Sequence, residues 1–196
     1  METGISNQNK TRELISKSIS GDTDAFRMLV KEYNGYAHAI AYKTLFNHDD
    51  ARDVVQESFI RIWKHLRNFN PEIKFTTWLY KIVINLCYDR IKSRNRSKLI
   101  FNEPGDEYEN ISAADSIEKS IIDNDQVRMI LSFANELPPK QKIVFMMRDI
   151  QNCNVEETSE LLGMSLSSVK TNLFNARKTI AARISKIESR RINNEM

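Results

Sequence analysis

Asp49, Asp50 and Asp53 are the closest approach in this chain to a catalytic constellation. Carboxylates grouped like this could grip a divalent cation, as a metal-dependent nuclease requires. They stand where a helix begins, however, and there they more simply cap the chain and offset the helix dipole. No nucleophile–base pairing and no glycine-rich phosphate loop accompany them. His38, His48 and His65 show no spacing with cysteine or carboxylate that builds a metal site. Catalysis is therefore not expected, and neither is a cofactor or a small-molecule substrate. The chemistry that the chain does carry is recognition. Ser167, Ser168, Lys170, Thr171, Asn172, Asn175, Arg177 and Lys178 crowd a stretch, Ser165 to Arg183, that holds no acid. Asn, Arg and Lys reach base edges, while Ser and Thr hold phosphates. Phe174 stands among them and suits a thymine methyl or a sugar.

Such a face needs a scaffold. Asn154 with Glu157 reads as a reciprocal helix cap, Gly163 as a left-handed turn, and Ser165 as the cap of a second helix. Val169, Leu173, Ala176 and Ile180 give that second helix a narrow apolar stripe. Short helix, Gly turn and longer helix over 155–178 make a helix-turn-helix, which presents its second helix to the major groove. The bland alternative is the solvated face of a small bundle. The missing acids count against it, because a solvated helix usually mixes both signs. Upstream, Val127, Ile130, Leu131 and Ala134 mark an amphipathic helix. Pro139 suits the first turn of another, with Ile143, Val144, Met147 and Ile150 inward.

A second block precedes this one. Asp22 is placed to cap a helix in which Phe26, Leu29, Val30, Tyr33, Ala37 and Ile40 recur at three- and four-residue steps. The next helix turns Val54, Val55, Phe59 and Ile62 inward and leaves Asp53, Gln56, Glu57, Ile60 and Trp63 outside that stripe. Carboxylates and an amide beside an aromatic anchor suit a protein interface; a solvated helix with a half-buried Trp63 is the alternative. Residues 67–76 read as a loop, with Thr76 or Thr77 capping a third helix. Phe69, Phe75, Trp78 and Tyr80 are candidates to wall a pocket or stack on unpaired bases, and the loop residues Phe69, Lys74 and Phe75 are the better placed for recognition. Trp78 and Tyr80 lie at core spacing. Asn85 is either a satisfied buried amide or a contact to DNA. Arg90, Lys92, Arg94 and Arg96 follow without an acid and can track phosphates.

The whole composition agrees with this organisation. Of 196 residues 41% are hydrophobic and 28% charged, with 5 Gly and 4 Pro, which favours a helical globular chain. Net charge is only +3, but six acids and no base lie between Leu99 and Glu118, directly after the basic run. The expected fold is all-α: two small helical domains joined by a flexible acidic linker. The expected boundaries are a tail and lead-in at 1–20, domains at 21–97 and 124–190, and a linker at 98–123. Residues 1–10 and 192–196 are expected to fray. Cys87 and Cys153 read as reduced thiols of a cytoplasmic protein, and neither an export signal nor a membrane-inserting segment is evident.

Three stretches together resemble a known family. A-R-D-V-V-Q-E-S-F-I-R-I-W (51–63) resembles the core-polymerase-binding helix in region 2 of extracytoplasmic-function (ECF) sigma factors. F-T-T-W-L-Y-K-I-V-I-N-L-C-Y-D (75–89) and the basic residues after it resemble the adjoining promoter-melting segment. L-P-P-K-Q-K-I-V-F-M-M-R-D-I (137–150) with S-V-K-T-N-L-F-N-A-R-K (168–178) resembles region 4. The resemblance implies an alternative sigma factor that binds core RNA polymerase and promoter DNA and catalyses nothing. Asp53, Gln56, Glu57, Ile60 and Trp63 would meet the clamp helices of the polymerase's largest subunit. Phe69, Lys74, Phe75, Asn85, Arg90, Lys92, Arg94 and Arg96 would hold the −10 element, with one base flipped into the loop. The helix from Ser165 would read the −35 element, and the flap region of the polymerase is a further implied contact. An anti-sigma factor is a partner that the resemblance admits. Arg52 stands where the family commonly has an acid, and Asn175 where it often has a base, so the −35 sequence does not transfer. The competing reading is a free-standing helix-turn-helix regulator whose first block senses or dimerises.

Overall fold

A computed structural model of the chain describes residues 2–101 and 125–194, which divide into two compact units, one ending at Arg90 and the other beginning at Ile91. No strand occurs among the described residues. Most of the expected acidic linker, and the expected start of the second domain at 124, lie outside them.

The first unit begins with helix α1 (Glu2–Ile19), which replaces the expected tail. Its Thr11, Leu14, Ile15 and Ser18 are buried at helical spacing. The two hydroxyls carry no penalty there: Ser18 Oγ donates to the Leu14 carbonyl at 2.7 Å, and Thr11 Oγ1 lies 2.8 Å from Tyr33 Oη. Asp22 caps α2 (Thr23–Leu45), accepting from the backbone of Asp24 and Ala25 at 2.9 and 3.0 Å. Leu29, Ala37, Ile40 and Ala41 form its inner face. Phe46 ends the helix in the left-handed region (φ 50), and Asn47 caps α3 (His48–His65) by accepting from Asp50 N at 2.8 Å. Along α3, Ala51, Val54, Val55, Phe59 and Ile62 are buried as their spacing predicts. Each buried Val, Ile or Phe side chain among them contributes roughly 1.5–3 kcal/mol by leaving water.

A single 3₁₀ turn (Leu66–Asn68) leads into the loop before α4 (Phe75–Phe101). Helix α4 differs from expectation at both ends. It starts at Phe75, before either threonine, because the Lys74 carbonyl already accepts from Thr77 N and Trp78 N at 3.0 and 3.3 Å. It runs on to Phe101, so the first four residues assigned to the linker are helical.

The second unit holds α5 (Asp125–Asn135), α6 (Pro139–Phe145), α7 (Val155–Leu162) and α8 (Leu166–Asn194). Pro139 occupies the first turn of α6 as expected. The helix does not continue unchanged to Ile150: Met146–Ile150 widen into a π-turn, closed by Gln151 N to the Met146 carbonyl at 3.0 Å. Ile143, Val144, Met146 and Met147 fill the core with Val169, Leu173, Ala176 and Ile180 of α8. Arg183 of α8 pairs with Glu136 and lies 5.7 Å over the Phe133 ring, which fastens the long helix to the end of α5.

Candidate functional site

In the second unit the backbone chemistry expected of a helix-turn-helix is present. Asn154 N donates to Glu157 Oε2 at 2.8 Å, and Glu157 N to Asn154 Oδ1 at 2.7 Å, so α7 starts under a reciprocal cap. Gly163 takes φ 61 and closes α7, with Met164 N on the Ser159 carbonyl at 3.0 Å. Ser165 Oγ accepts from Ser168 N at 3.2 Å and starts α8. With the apolar stripe docked, Ser167, Lys170, Thr171, Phe174, Arg177 and Lys178 are exposed, and Ser168, Asn172 and Asn175 half-buried. Phe174 is 66% exposed, a large ring offered to solvent beside cations.

Three of these residues are already engaged, Ser168 by accepting at its Oγ from Asn172 Nδ2 at 3.3 Å. Asn172 Nδ2 donates to the Ser168 carbonyl at 2.8 Å, one turn back along its own helix. Arg177 meets Asp149 of the π-turn with both prongs: Nε to Oδ2 at 2.9 Å and Nη2 to Oδ1 at 2.5 Å. That hydrogen bonding, and the carboxylate's charge, raise the Arg177 pKa above its ordinary value. Nothing in the sequence joins Asp149 to Arg177, which lies 28 residues on.

The first unit carries the other candidates. Asp53, Gln56, Glu57, Ile60 and Trp63 of α3 are all exposed, Ile60 by 53% and Trp63 by 40%. Trp63 rests on Phe26 of α2 with ring centroids 4.7 Å apart. Glu57 receives two hydrogen bonds from Arg61, at 2.7 and 3.1 Å, and Asp53 receives one from Arg90 at 3.1 Å. Phe69, Phe75 and Trp78 form one aromatic cluster, with centroids 5.1 to 6.1 Å apart and Tyr33 of α2 4.9 Å from Phe75.

Phe75 needs a correction. It is a helical core residue, 5% exposed, and not a loop residue free to stack on a base. Its ring is packed against Tyr33, Phe69 and Trp78, which are themselves half-buried. Lys74 is exposed and Asn85 half-buried. Arg90, the last residue of this unit, is also half-buried and already paired, whereas Lys92, Arg94 and Arg96, further along α4 and past the unit boundary, are exposed. Among the described residues no group of His, Cys, Asp or Glu could hold a metal ion, and no helix is long and apolar enough to cross a membrane.

Residues 29–97 match Sigma-70 region 2, and residues 128–180 match Sigma-70 region 4. The ECF RNA polymerase sigma factor SigW of Bacillus subtilis is 30% identical over 176 residues, 86% of this chain and 94% of that protein. The chain belongs to the ECF sigma factors. The ECF sigma-E factor of Haemophilus influenzae is 25% identical over 92% of this chain and 98% of its own. The fold is shared with CnrH, solved in complex with the cytosolic domain of CnrY: TM-score 0.56, 22% identity, 90% of this chain and 98% of that one. It is shared equally with RpoE of Bartonella quintana, solved with the anti-sigma factor NepR, at TM-score 0.56 and 18% identity over 82% and 96%. A sigma factor directs RNA polymerase to promoters and is not an enzyme. A free-standing regulator would need only the helix-turn-helix, whereas both regions match in order.

Proposed function

We propose that this sigma factor uses residues 21–97 to bind core polymerase and the −10 element, and residues 124–190 to bind the −35 duplex, with 98–123 as the linker. Asp53, Gln56, Glu57, Ile60 and Trp63 face the clamp helices: an exposed apolar anchor beside two carboxylates and an amide suits a partner helix with basic side chains. Lys92, Arg94 and Arg96 take −10 phosphates, Asn85 a base or phosphate, and Phe69 with Lys74 the flipped base. Ser167, Lys170, Thr171, Phe174 and Lys178 contact the −35 major groove. The complexes of CnrH and of RpoE motivate an anti-sigma factor as a further partner. Its working compartment is the cytoplasm, where core polymerase is found.

The observation that carries this reading is the pairing of an acid-free, outward α8 face with an exposed Ile60–Trp63 patch on α3. The experiment is reconstitution with purified core polymerase. The expected result is a stable complex and a transcript that depends on promoter sequence. A chain that neither associates with core nor starts a transcript would overturn it.

A further inference from the structure

The two-pronged contact between Asp149 and Arg177 sits at the base of the recognition helix, and neither partner's role follows from the family match. Arg177 lies about 70° round α8 from the centre of its buried stripe, whereas Thr171, Phe174 and Lys178 lie roughly 130–170° away, at 100° per residue. It therefore stands at the shoulder of the helix and points back toward the protein's own π-turn. Both oxygens of Asp149 are taken by the guanidinium, and the Asp149 side chain is 21% exposed against 58% for Arg177. Parallel hydrogen bonds between a planar guanidinium and a carboxylate fix direction as well as distance. The π-turn that carries Asp149 is itself held: Cys153 N donates to the Met147 carbonyl at 2.9 Å, and the Arg148 guanidinium donates to the Cys153 carbonyl. The carboxylate is thus mounted on a fixed bend and set against the helix that must enter the groove.

We propose that Asp149 is a positioning residue for promoter recognition: through the Arg177 fork it sets the roll of α8, and Arg177 acts as a strut and not as a base-reading cation. The inference rests on the reading of α8 as the −35 helix. It moves Arg177 off the DNA-contacting face, while leaving Thr171, Phe174 and Lys178 on it.

The test uses holoenzyme assembled from the full chain and core polymerase. The probes are a duplex promoter selected by wild-type holoenzyme from a randomised pool and the same duplex with its −35 segment scrambled. The readouts are the affinity ratio between the two and the slope of log affinity against log salt, at a temperature where circular dichroism shows every variant folded. Asp149→Asn and Arg177→Gln should each lower the ratio by about tenfold, the double variant no further, with the salt slope unchanged. Asp149→Glu should recover most of the ratio, and Arg177→Lys little, since a single ammonium cannot form the fork. A contribution to stability alone would lower the melting temperature and leave the ratio intact.

The proposal is overturned if Asp149→Asn keeps or raises the ratio while Arg177→Gln lowers affinity and cuts the salt slope by about one, the mark of a phosphate contact. It is overturned equally if both variants discriminate as wild type does. Should the single variants not fold, the exchanged pair Asp149→Arg with Arg177→Asp decides. Restored discrimination supports a strut, and discrimination lost in a folded exchanged pair overturns it, since an acid facing phosphate would repel. A wild-type holoenzyme that fails to discriminate between the probes would defeat the −35 reading itself, a different outcome from failure of the strut.

Discussion

Arg90 Nη2 stands 3.1 Å from Asp53 Oδ2, and its Nη1 3.8 Å from Asp50 Oδ1, so one guanidinium ties α4 to two carboxylates of α3. The two acids differ in setting. The Asp53 side chain is 57% exposed and that of Asp50 only 8%. An exposed ion pair is screened by water and contributes little, while a buried carboxylate that loses its cation is left in poor solvent. Asp53→Ala should therefore cost under about 1 kcal/mol of stability. Arg90→Ala should cost about 1–3 kcal/mol, because it takes a cation away from the buried Asp50 carboxylate. Urea denaturation of the two variants checks the order, and equal losses would mean that Asp50 does not depend on Arg90.

The same pair bears on function, because the family resemblance assigns Asp53 to polymerase and Arg90 to DNA, and here they satisfy each other. Glu57 and Trp63 give the cleaner probe of the α3 surface. Glu57→Arg should weaken core binding with folding intact, since Glu57 lies on the exposed side and its ion pair with Arg61 stays within its own helix. Trp63→Ala should weaken core binding by about 2 kcal/mol or more, as truncating a central aromatic anchor does. Titration of labelled protein with core polymerase measures both. Wild-type affinity in either variant would remove that residue from the interface.

Lys170 has no ion-pair partner among the described residues and extends from the exposed side of α8. Lys170→Ala should weaken promoter binding by about 1–3 kcal/mol if it reads a base, and should lower the salt slope by about one if it holds a phosphate. Either result places it on DNA. Unchanged affinity together with an unchanged slope would take it off the contacting face.

How much of this was legible in the sequence depends on the range of each interaction. The caps at Asp22, Asn154 and Ser165 and the turn at Gly163 are written within four residues, and the structure has all of them. The buried stripes of α3 and α8 follow from helical spacing alone. Helix α1 was hidden because half of its inner face is Thr11 and Ser18, whose hydroxyls are satisfied only once Tyr33 and the helix itself are in place. Phe75 was misread because Lys74 starts α4 with its backbone and has no capping side chain, so Thr76 drew the boundary too late. The fork between Asp149 and Arg177 and the single hydrogen bond from Arg90 to Asp53 join positions 28 and 37 apart, and no periodicity encodes such pairs.

The turn geometry makes its own stability prediction. Gly163 adopts φ 61 with open space around a would-be Cβ, so Gly163→Ala meets backbone strain without a clash. It should cost about 1–2 kcal/mol. Asn154→Ala removes one half of the reciprocal cap and should cost about 0.5–2 kcal/mol. Thermal melts of the full chain read both. If Gly163→Ala melts like wild type, the turn between α7 and α8 tolerates a second conformation.

Cys87 provides the pH-dependent prediction. Burial pushes its thiol up to about 12, partly offset by a hydrogen bond with Thr44. In the unfolded chain the thiol ionises near ~8.5. Between those values the unfolded state releases a proton that the folded state keeps, so the unfolded state gains as pH rises. The stabilisation is complete below the unfolded pKa and is lost progressively as pH climbs toward the folded one. Stability should fall from about pH 8.5 upward, and Cys87→Ala should flatten that fall while costing packing at every pH. A thiol-directed reagent at neutral pH should modify the half-buried Cys153 in the native chain and reach Cys87 only in denaturant. Rapid native modification of both thiols would show that the core between α2 and α4 opens far more often than its packing allows.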